Sequence, residues 1–511
     1  MRRGSLRTPA VAVQGSIEAA FLQRRVSRRA ILGTLPACAI LGSAGLIVSG
    51  ACAQPDPQAR GLRSSSFGSF AAAVAAWSKV GGTLTVDMDH SESAPVTMMC
   101  TSGQAYHLTS DGPRTISYAG PHHHWLFQIY SPGRNPFRID GGLTFDGRNR
   151  CSLPFYARFD DVDGAARRSF QVDGLSARNA RMRRGISRID GSRTDLYGAT
   201  ALLFHGGFDR LELRHVRAYD VSREAGVGVP GSQGCIGIAV IATMGTTKSA
   251  RHITVQDFDI ARIDSDDPPG SRERIDIDGL SIFQSAEPES SRPLVQRGRI
   301  RNAAGRAIKV YAPGGGGGVT RKIEVHRSVH GSTGGSNDIA HQHGEGRIED
   351  VVFYYSGAAH SQPTVPIGLS ATPLPASRFP AIQGIIRNVT IHDTTGRDKL
   401  ALVSIYNTQR DTWPRAFALS GIIDSGTSRF LLLPGSMGRD ADVTASIEDS
   451  ALRLTAALIG TDEDVRRLAV RARRLANQTM SAVPVKADYD GRAAPADHVR
   501  LIKGERVSGI Q

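Results

Sequence analysis

The sequence predicts an all-β chain coiled into one elongated solenoid, and two observations carry that prediction. One is a short alternating phrase, apolar–any–apolar–any and then usually Asp, His, Asn or Gly, that returns between residues 137 and 449. It reads Phe137-Arg-Ile-Asp-Gly, Phe170-Gln-Val-Asp-Gly, Leu211-Glu-Leu-Arg-His, Ile253-Thr-Val-Gln-Asp, Ile323-Glu-Val-His-Arg and Ile386-Arg-Asn-Val-Thr-Ile. The other is a more apolar phrase lying between successive copies. Its members are Ala201-Leu-Leu-Phe-His, Ile236-Gly-Ile-Ala-Val-Ile, Gly279-Leu-Ser-Ile-Phe, Ala307-Ile-Lys-Val-Tyr, Ala401-Leu-Val-Ser-Ile-Tyr and Phe430-Leu-Leu-Leu. Two strand types alternating every 25 to 42 residues are what a stacked coil requires, because each turn must offer the same faces to its neighbours.

The elements follow in chain order. Residues 1–53 read as a twin-arginine-type export signal: Ser27-Arg28-Arg29-Ala30-Ile31-Leu32, a mildly apolar run to Val48, then the small residues Ala51-Cys52-Ala53. Gly33, Pro36, Gly42 and Gly45 moderate that run, which favours a cleaved signal over a membrane anchor. A lipidated Cys52 is the third reading, weakened because Ser49 stands where Leu is usual. The protein is then expected in the periplasm or outside the cell. It meets a membrane only if the signal stays uncleaved or Cys52 is lipidated.

Residues 54–66 form a polar linker. Ser69 is placed to cap a helix whose Phe70, Val74 and Trp77 share one face, with Gly81-Gly82 ending it and Thr83-Leu-Thr-Val opening a strand. Such a helix would cover the open end of a stack. Residues 88 to 136 are less regular and suggest an inserted hairpin or loop. The solenoid is assigned to 67–460, with Asp264-Ser-Asp-Asp-Pro-Pro-Gly and Pro313-Gly-Gly-Gly-Gly as corner loops. Residues 461–511 are a C-terminal helix and tail, with Val465, Leu468, Ala472 and Leu475 on one stripe of the helix.

Composition narrows the partners. The 511 residues carry a formal charge of +14, and setting aside the seven Arg and one Glu of residues 1–53 leaves +8. A basic surface suits polyanions, but no Lys/Arg cluster interleaves with exposed aromatics, which argues against nucleic acid. After cleavage Cys100, Cys151 and Cys235 remain, an odd number with no zinc spacing, and they are read as small buried apolar residues. No phosphate loop, dinucleotide fingerprint or nucleophile elbow is present.

The mature chain resembles the single-stranded right-handed parallel β-helix proteins, the pectate-lyase-like superfamily. The resemblance rests on Phe70…Trp77-Ser-Lys-Val-Gly-Gly-Thr-Leu-Thr-Val and on the rungs quoted above. It implies a protein that cleaves or holds polysaccharide, often acidic. The polygalacturonase set is missing: there is no Asn-Thr-Asp, Gly-His-Gly or Arg-Ile-Lys, and Asp266-Asp267 sits in a Pro/Gly loop.

For such a substrate, β-elimination needs a cation for the uronate carboxylate, a base for the C5 proton and an acid for the leaving oxygen. Rungs 275–343 concentrate the means. In Arg306-Ala-Ile-Lys309-Val-Tyr311 alternation turns Ile308 and Val310 inward, so Lys309 and Tyr311 leave the same face roughly 7 Å apart. Lys309 is the candidate base or carboxylate clamp, Tyr311 the proton donor, and Arg306, His341 and His343 complete the catalytic set; because the two histidines share a face with Ile339, an inward, hydrogen-bonded core histidine is the alternative for one of them. Asp276 and Asp278 are read as sugar or cation ligands, and His205 as a further substrate contact. The sequence fixes no cofactor; calcium on the aspartates is the one conditional candidate.

Alternatives of two other kinds stay open. One is a glycoside hydrolase using the aspartates. The other is a non-catalytic glycan-binding or exopolysaccharide-assembly protein. The reading leans to a lyase. Pro121-His122-His123-His124 is set aside as a metal site, since consecutive strand residues cannot all face one ion.

Overall fold

Alternating Val, Ile, Leu and Phe give each phrase one apolar edge, and burying that edge within a narrow coil dictates the architecture. In the computed structural model the phrases become strands, each paired in parallel with its equivalent one turn away. The structure describes residues 61–477 except 101–104, 132–134, 160–168, 184–197, 207, 228–233, 242–250, 269–270, 272–276, 285–289, 313–316, 328–336, 343–345, 357–364, 372–381, 397, 408–413, 435–441 and 453–466. The export signal and most of the linker therefore lie outside the described residues.

The strands form two parallel sheets, one of 19 strands and one of 11, the long and short sheets below. The chain is an all-β parallel β-helix. Each turn of the long sheet is bent into two arms by a residue in the left-handed region. His215, Asp257, Arg297, Lys322, Asp350 and Asn388 occupy this corner in successive turns, all with φ between 50° and 56°. Register confirms the column, because Arg214, Gln256, Gln296, Arg321, Glu349 and Arg387, one residue earlier, are successive partners. Side chains tie the corner together: Arg297 donates to Asp257 at 2.7 Å and Asn388 to Asp350 at 3.0 Å. These hydrogen bonds offset the strain of a positive φ.

The interior is a stack of apolar ladders. One runs Phe127, Phe155, Leu202, Ile238, Leu280, Ile308, Ile339, Ile367 and Val403, one residue per turn. Toward the N-terminus the rings of Phe70, Phe127, Phe145, Phe155 and Phe204 follow one another with centroids 5.3–5.6 Å apart. Cys100, Cys151 and Cys235 are buried and in no disulfide, as their reading as apolar fillers expects.

The N-terminal cap is as predicted. The helix Phe70–Val80 starts at Ser69, whose hydroxyl accepts from Ala72 N at 3.1 Å, and buries Phe70, Ala73, Val74 and Trp77. Gly81 leaves it at φ 71°.

Three expectations change. Leu62 and Arg63, placed in the linker, already pair with Leu84 and Thr85. Residues 88–136 are no inserted loop: His90–Glu92, Val96–Met99, Tyr106–Ser110, Arg114–Tyr118 and His123–Ser131 continue the same ladders. Nor do residues 467–477 extend a C-terminal helix. Arg467–Asn477 is a strand paired along its length with Asp442–Leu452. Leu468, Val470 and Ala472 fit period two as well as a helical stripe, and the unpaired edge of the preceding rung offers hydrogen bonds that settle the choice.

Candidate functional site

The site is built on the outer face of the short sheet. Once Ile308, Val310 and their ladder partners turn inward, the intervening residues must face out. Two outward lines result. The first runs Gln128, Tyr156, Leu203, Ala239, Ser281, Lys309 and Ala340; the second runs Tyr130, Arg158, His205, Ile241, Phe283, Tyr311 and Gln342.

Lys309 and Tyr311 project from Arg306–Tyr311 beside Ser281 and Phe283 of Ile277–Phe283. The Lys309 ammonium lies 4.9 Å from the centre of the Phe283 ring, and that ring is 6.1 Å from Tyr311. The face of an aromatic ring attracts the amine end of a lysine, so Lys309 is held in place on a floor that it shares with Tyr311.

Asp278 departs from its expected role. Its carboxylate accepts from Ser281 Oγ at 2.7 Å and faces Arg306 Nε at 3.3 Å, with only 2% of the side chain exposed. It is not an open cation or sugar ligand: it positions Arg306 and Ser281. Calcium does not fit here, because the Arg306 guanidinium already occupies the carboxylate's field. Among the described residues no group of three or more His, Cys, Asp or Glu is arranged to hold a metal ion. Asp276 and His343 lie outside the described residues.

His341 is the clearest correction. It pairs with Val310 and Leu369 on an inward ladder and reaches across the interior, its Nε2 2.9 Å from Thr320 Oγ1. Gly318 and Gly346 leave room for the imidazole, since a Cβ on either would come within 3.3–3.4 Å of its ring atoms. A side chain enclosed by the coil cannot touch a glycan outside it. Asp338 is interior too, bonded to Arg327 and Tyr355. The face that His341 shares with Ile339 had left the inward alternative open, and the ladder decides it.

Burial lowers the His341 pKa from 6.5 to about 4. A base depressed in the folded state adds stability above its unfolded pKa and loses it as the pH falls toward the folded one. Between pH 6.5 and 4 the protein is therefore expected to lose about 3 kcal/mol through this residue. His341→Gln, which keeps a partner for Thr320 without titrating, is expected to flatten that window. Urea midpoints measured across it check the point; equal slopes in both proteins would refute it.

His205 does face outward. Its Nδ1 is 3.3 Å from the Tyr156 hydroxyl and its ring lies nearly parallel to the Tyr156 ring. With turns spaced about 4.8 Å apart, His205 is roughly 10 Å from Phe283 and 14 Å from Tyr311 along one line.

The aromatic and cationic neighbours further along that line were not foreseen. Arg158 covers the Tyr130 ring at 5.5 Å, and Trp125 and Phe283 pack against an outer cluster of Leu153, Tyr156, Leu203, Ile236, Ala239 and Ile241. The alternation in Trp125-Leu-Phe-Gln-Ile-Tyr130 carried the signal. Gln342, which follows Tyr311 on the line, has a buried Oε1 with no hydrogen-bond partner among the described residues.

No family model matches the sequence, and no curated protein does. Solved structures match weakly. The A-module of the mannuronan C-5 epimerase AlgE4 from Azotobacter vinelandii aligns over 80% of this chain and 100% of its own, with 11% identity and a TM-score of 0.42. The catalytic unit of a GH87 α-1,3-glucanase from Streptomyces thermodiastaticus covers 89% and 73%, with 11% identity and 0.38. The surface protein and adhesin PfbA of Streptococcus pneumoniae covers 81% and 100%, with 10% identity and 0.37. Scores of this size leave the fold to rest on the strand pairing and the chemistry on the site itself.

Proposed function

We propose that the chain is an exported enzyme that cleaves an acidic, uronate-containing polysaccharide by β-elimination. One observation carries the reading: Lys309 and Tyr311 leave the same face of one strand, beside an Arg306 that Asp278 holds in place. Arg306 neutralises the uronate carboxylate, which makes the neighbouring C5 proton easier to remove. Lys309, acting as the neutral amine, takes that proton, and Tyr311 delivers one to the departing glycosidic oxygen. The outward line through Phe283, His205 and Arg158 gives the chain a bed parallel to the coil axis.

Hydrolysis by paired carboxylates finds less support. A glycosidase needs two carboxyl groups about 5 to 9.5 Å apart. Asp278 is engaged, and the two outward lines contain no carboxylate among the described residues. A holding protein is the second reading, favoured by Tyr130, Phe283 and Tyr311, whose rings suit sugar faces.

The deciding experiment incubates the purified protein with a panel of uronate polysaccharides, with calcium and with chelator, and follows ultraviolet absorbance. New unsaturated ends are the expected result. Reducing ends without absorbance would point to hydrolysis. Bound glycan with neither product would leave the holding protein and overturn the lyase.

A further inference from the structure

Three turns along the coil from the strand of Lys309, a lysine is buried between two aspartates. Lys399 lies near the start of the short-sheet strand Asp398–Asn407, Asp393 ends the long-sheet strand Ile382–Asp393, and Asp424 ends the next, Pro414–Asp424. Lys399 Nζ is 2.7 Å from Asp393 Oδ2 and 3.2 Å from Asp424 Oδ1, and the three side chains are 4%, 3% and 0% exposed. The carboxylates are otherwise well supplied. Asp393 Oδ1 accepts from Thr395 N and Oγ1, at 3.0 and 2.6 Å, while Asp424 accepts from Gly426 N and Ser428 Oγ, both at 3.0 Å. Gly426 is what lets the lysine in: a Cβ there would stand 2.7 Å from Lys399 Nζ and 2.7 Å from Asp393 Cβ.

We propose that Lys399 and Asp424 condense into an intramolecular amide, with Asp393 accepting the proton. The ammonium first gives one proton to the Asp393 carboxylate. The freed amine attacks Cγ of protonated Asp424, the N–C bond forms and the C–OH bond breaks. The hydroxyl departs as water with a second amine proton. Asp393 ends as the acid, the net charge is unchanged, and nothing is oxidised.

Three physical features favour the reaction over a permanent ion cluster. Amine and carboxyl are fixed at contact distance, which removes the entropy cost of meeting. The ionic reactants have lost their hydration while a neutral amide has little to lose, so burial tilts the equilibrium toward condensation. The two carboxyls are also unlike. Burial pushes Asp424 up despite the nearby lysine, whereas Asp393, although buried, is held down by Lys399 and Thr395. One is suited to be the electrophile, the other the base.

The bond would link positions 399 and 424 and tie adjacent rungs along the axis. Rungs otherwise hold only their immediate neighbours, so a covalent tie suits the later turns of a protein that works outside the cell.

Peptide mapping of the fully denatured, purified protein tests it. The expected product is a branched peptide joining Lys399 to Asp424, lighter than its two linear parts by one water. Lys399→Arg and Asp424→Ala should each restore the missing water. Asp393→Asn should leave linear peptides from a chain that circular dichroism shows to be folded. Unmodified linear peptides from the folded wild-type protein would overturn the proposal. So would fragmentation placing the water loss within Asp424 and Ser425 alone, or at Asp393.

Discussion

Arg327→Ala is expected to destabilise the fold by about 3–5 kcal/mol, since it strips the partner from a buried charge. Arg327 donates to Asp338 Oδ1, to Gly305 O and, at 3.3 Å, to Ala304 O; the Tyr355 hydroxyl donates to Asp338 Oδ2. Asp338 is fully enclosed, and burial pushes its carboxyl up even with Arg327 beside it. That direction shows how much hydration the pair has given up. Two outcomes therefore separate the cost of breaking the pair from its net worth. Each single truncation should lower the urea midpoint strongly. The double replacement Arg327→Met with Asp338→Leu should recover most of the loss, with a coupling energy well above the roughly 0.5 kcal/mol of independent sites. Additive losses would mean that the triad is not one unit.

The same interior shows what a sequence can and cannot convey about this fold. The regular rungs were legible because two signals coincide: alternation such as Ile323-Glu-Val-His-Arg, and a corner residue able to take positive φ. The early rungs were obscured because His90–Glu92 and Val96–Met99 are only three and four residues long, too short for alternation to stand out from noise. The strand Arg467–Asn477 was misread because its apolar positions satisfy both periods; only the exposed edge of the preceding rung decides. Lys309 and Tyr311 were legible because Ile308 and Val310 between and beside them are unambiguous. His341 was legible only as a choice between an inward and a catalytic histidine, as Asn337-Asp338-Ile-Ala-His-Gln offers Ile339 as its one apolar anchor. The Arg306–Asp278 pair could not be read at all. Its members are 28 positions apart, and their register depends on a corner whose length no local rule fixes.

Lys309→Ala is expected to lower the turnover of a uronate polysaccharide by about 10²–10⁴, the usual contribution of a positioned proton acceptor. The loss should fall on kcat more than on KM. Phe283, Tyr311, His205 and Arg158 remain to hold the chain, while the group acting only on the C5 proton is gone. Tyr311→Phe should lose less if a water molecule can reach the leaving oxygen in its place. Lys309→Arg tells clamp from base: a guanidinium preserves the charge over the Phe283 ring, 4.9 Å from its centre in the native lysine, but cannot give up a proton near neutral pH. A base role therefore predicts that arginine fails as fully as alanine, and a clamp role predicts substantial rescue. His326→Ala on the outer face of the long sheet, where the imidazole lies tilted beside the Tyr354 ring at 5.7 Å, should leave kcat untouched. Should Lys309→Ala retain wild-type turnover while His205 or Arg158 variants lose it, the reacting centre lies further toward the N-terminus. The bed would then be right and the assignment of chemistry along it wrong.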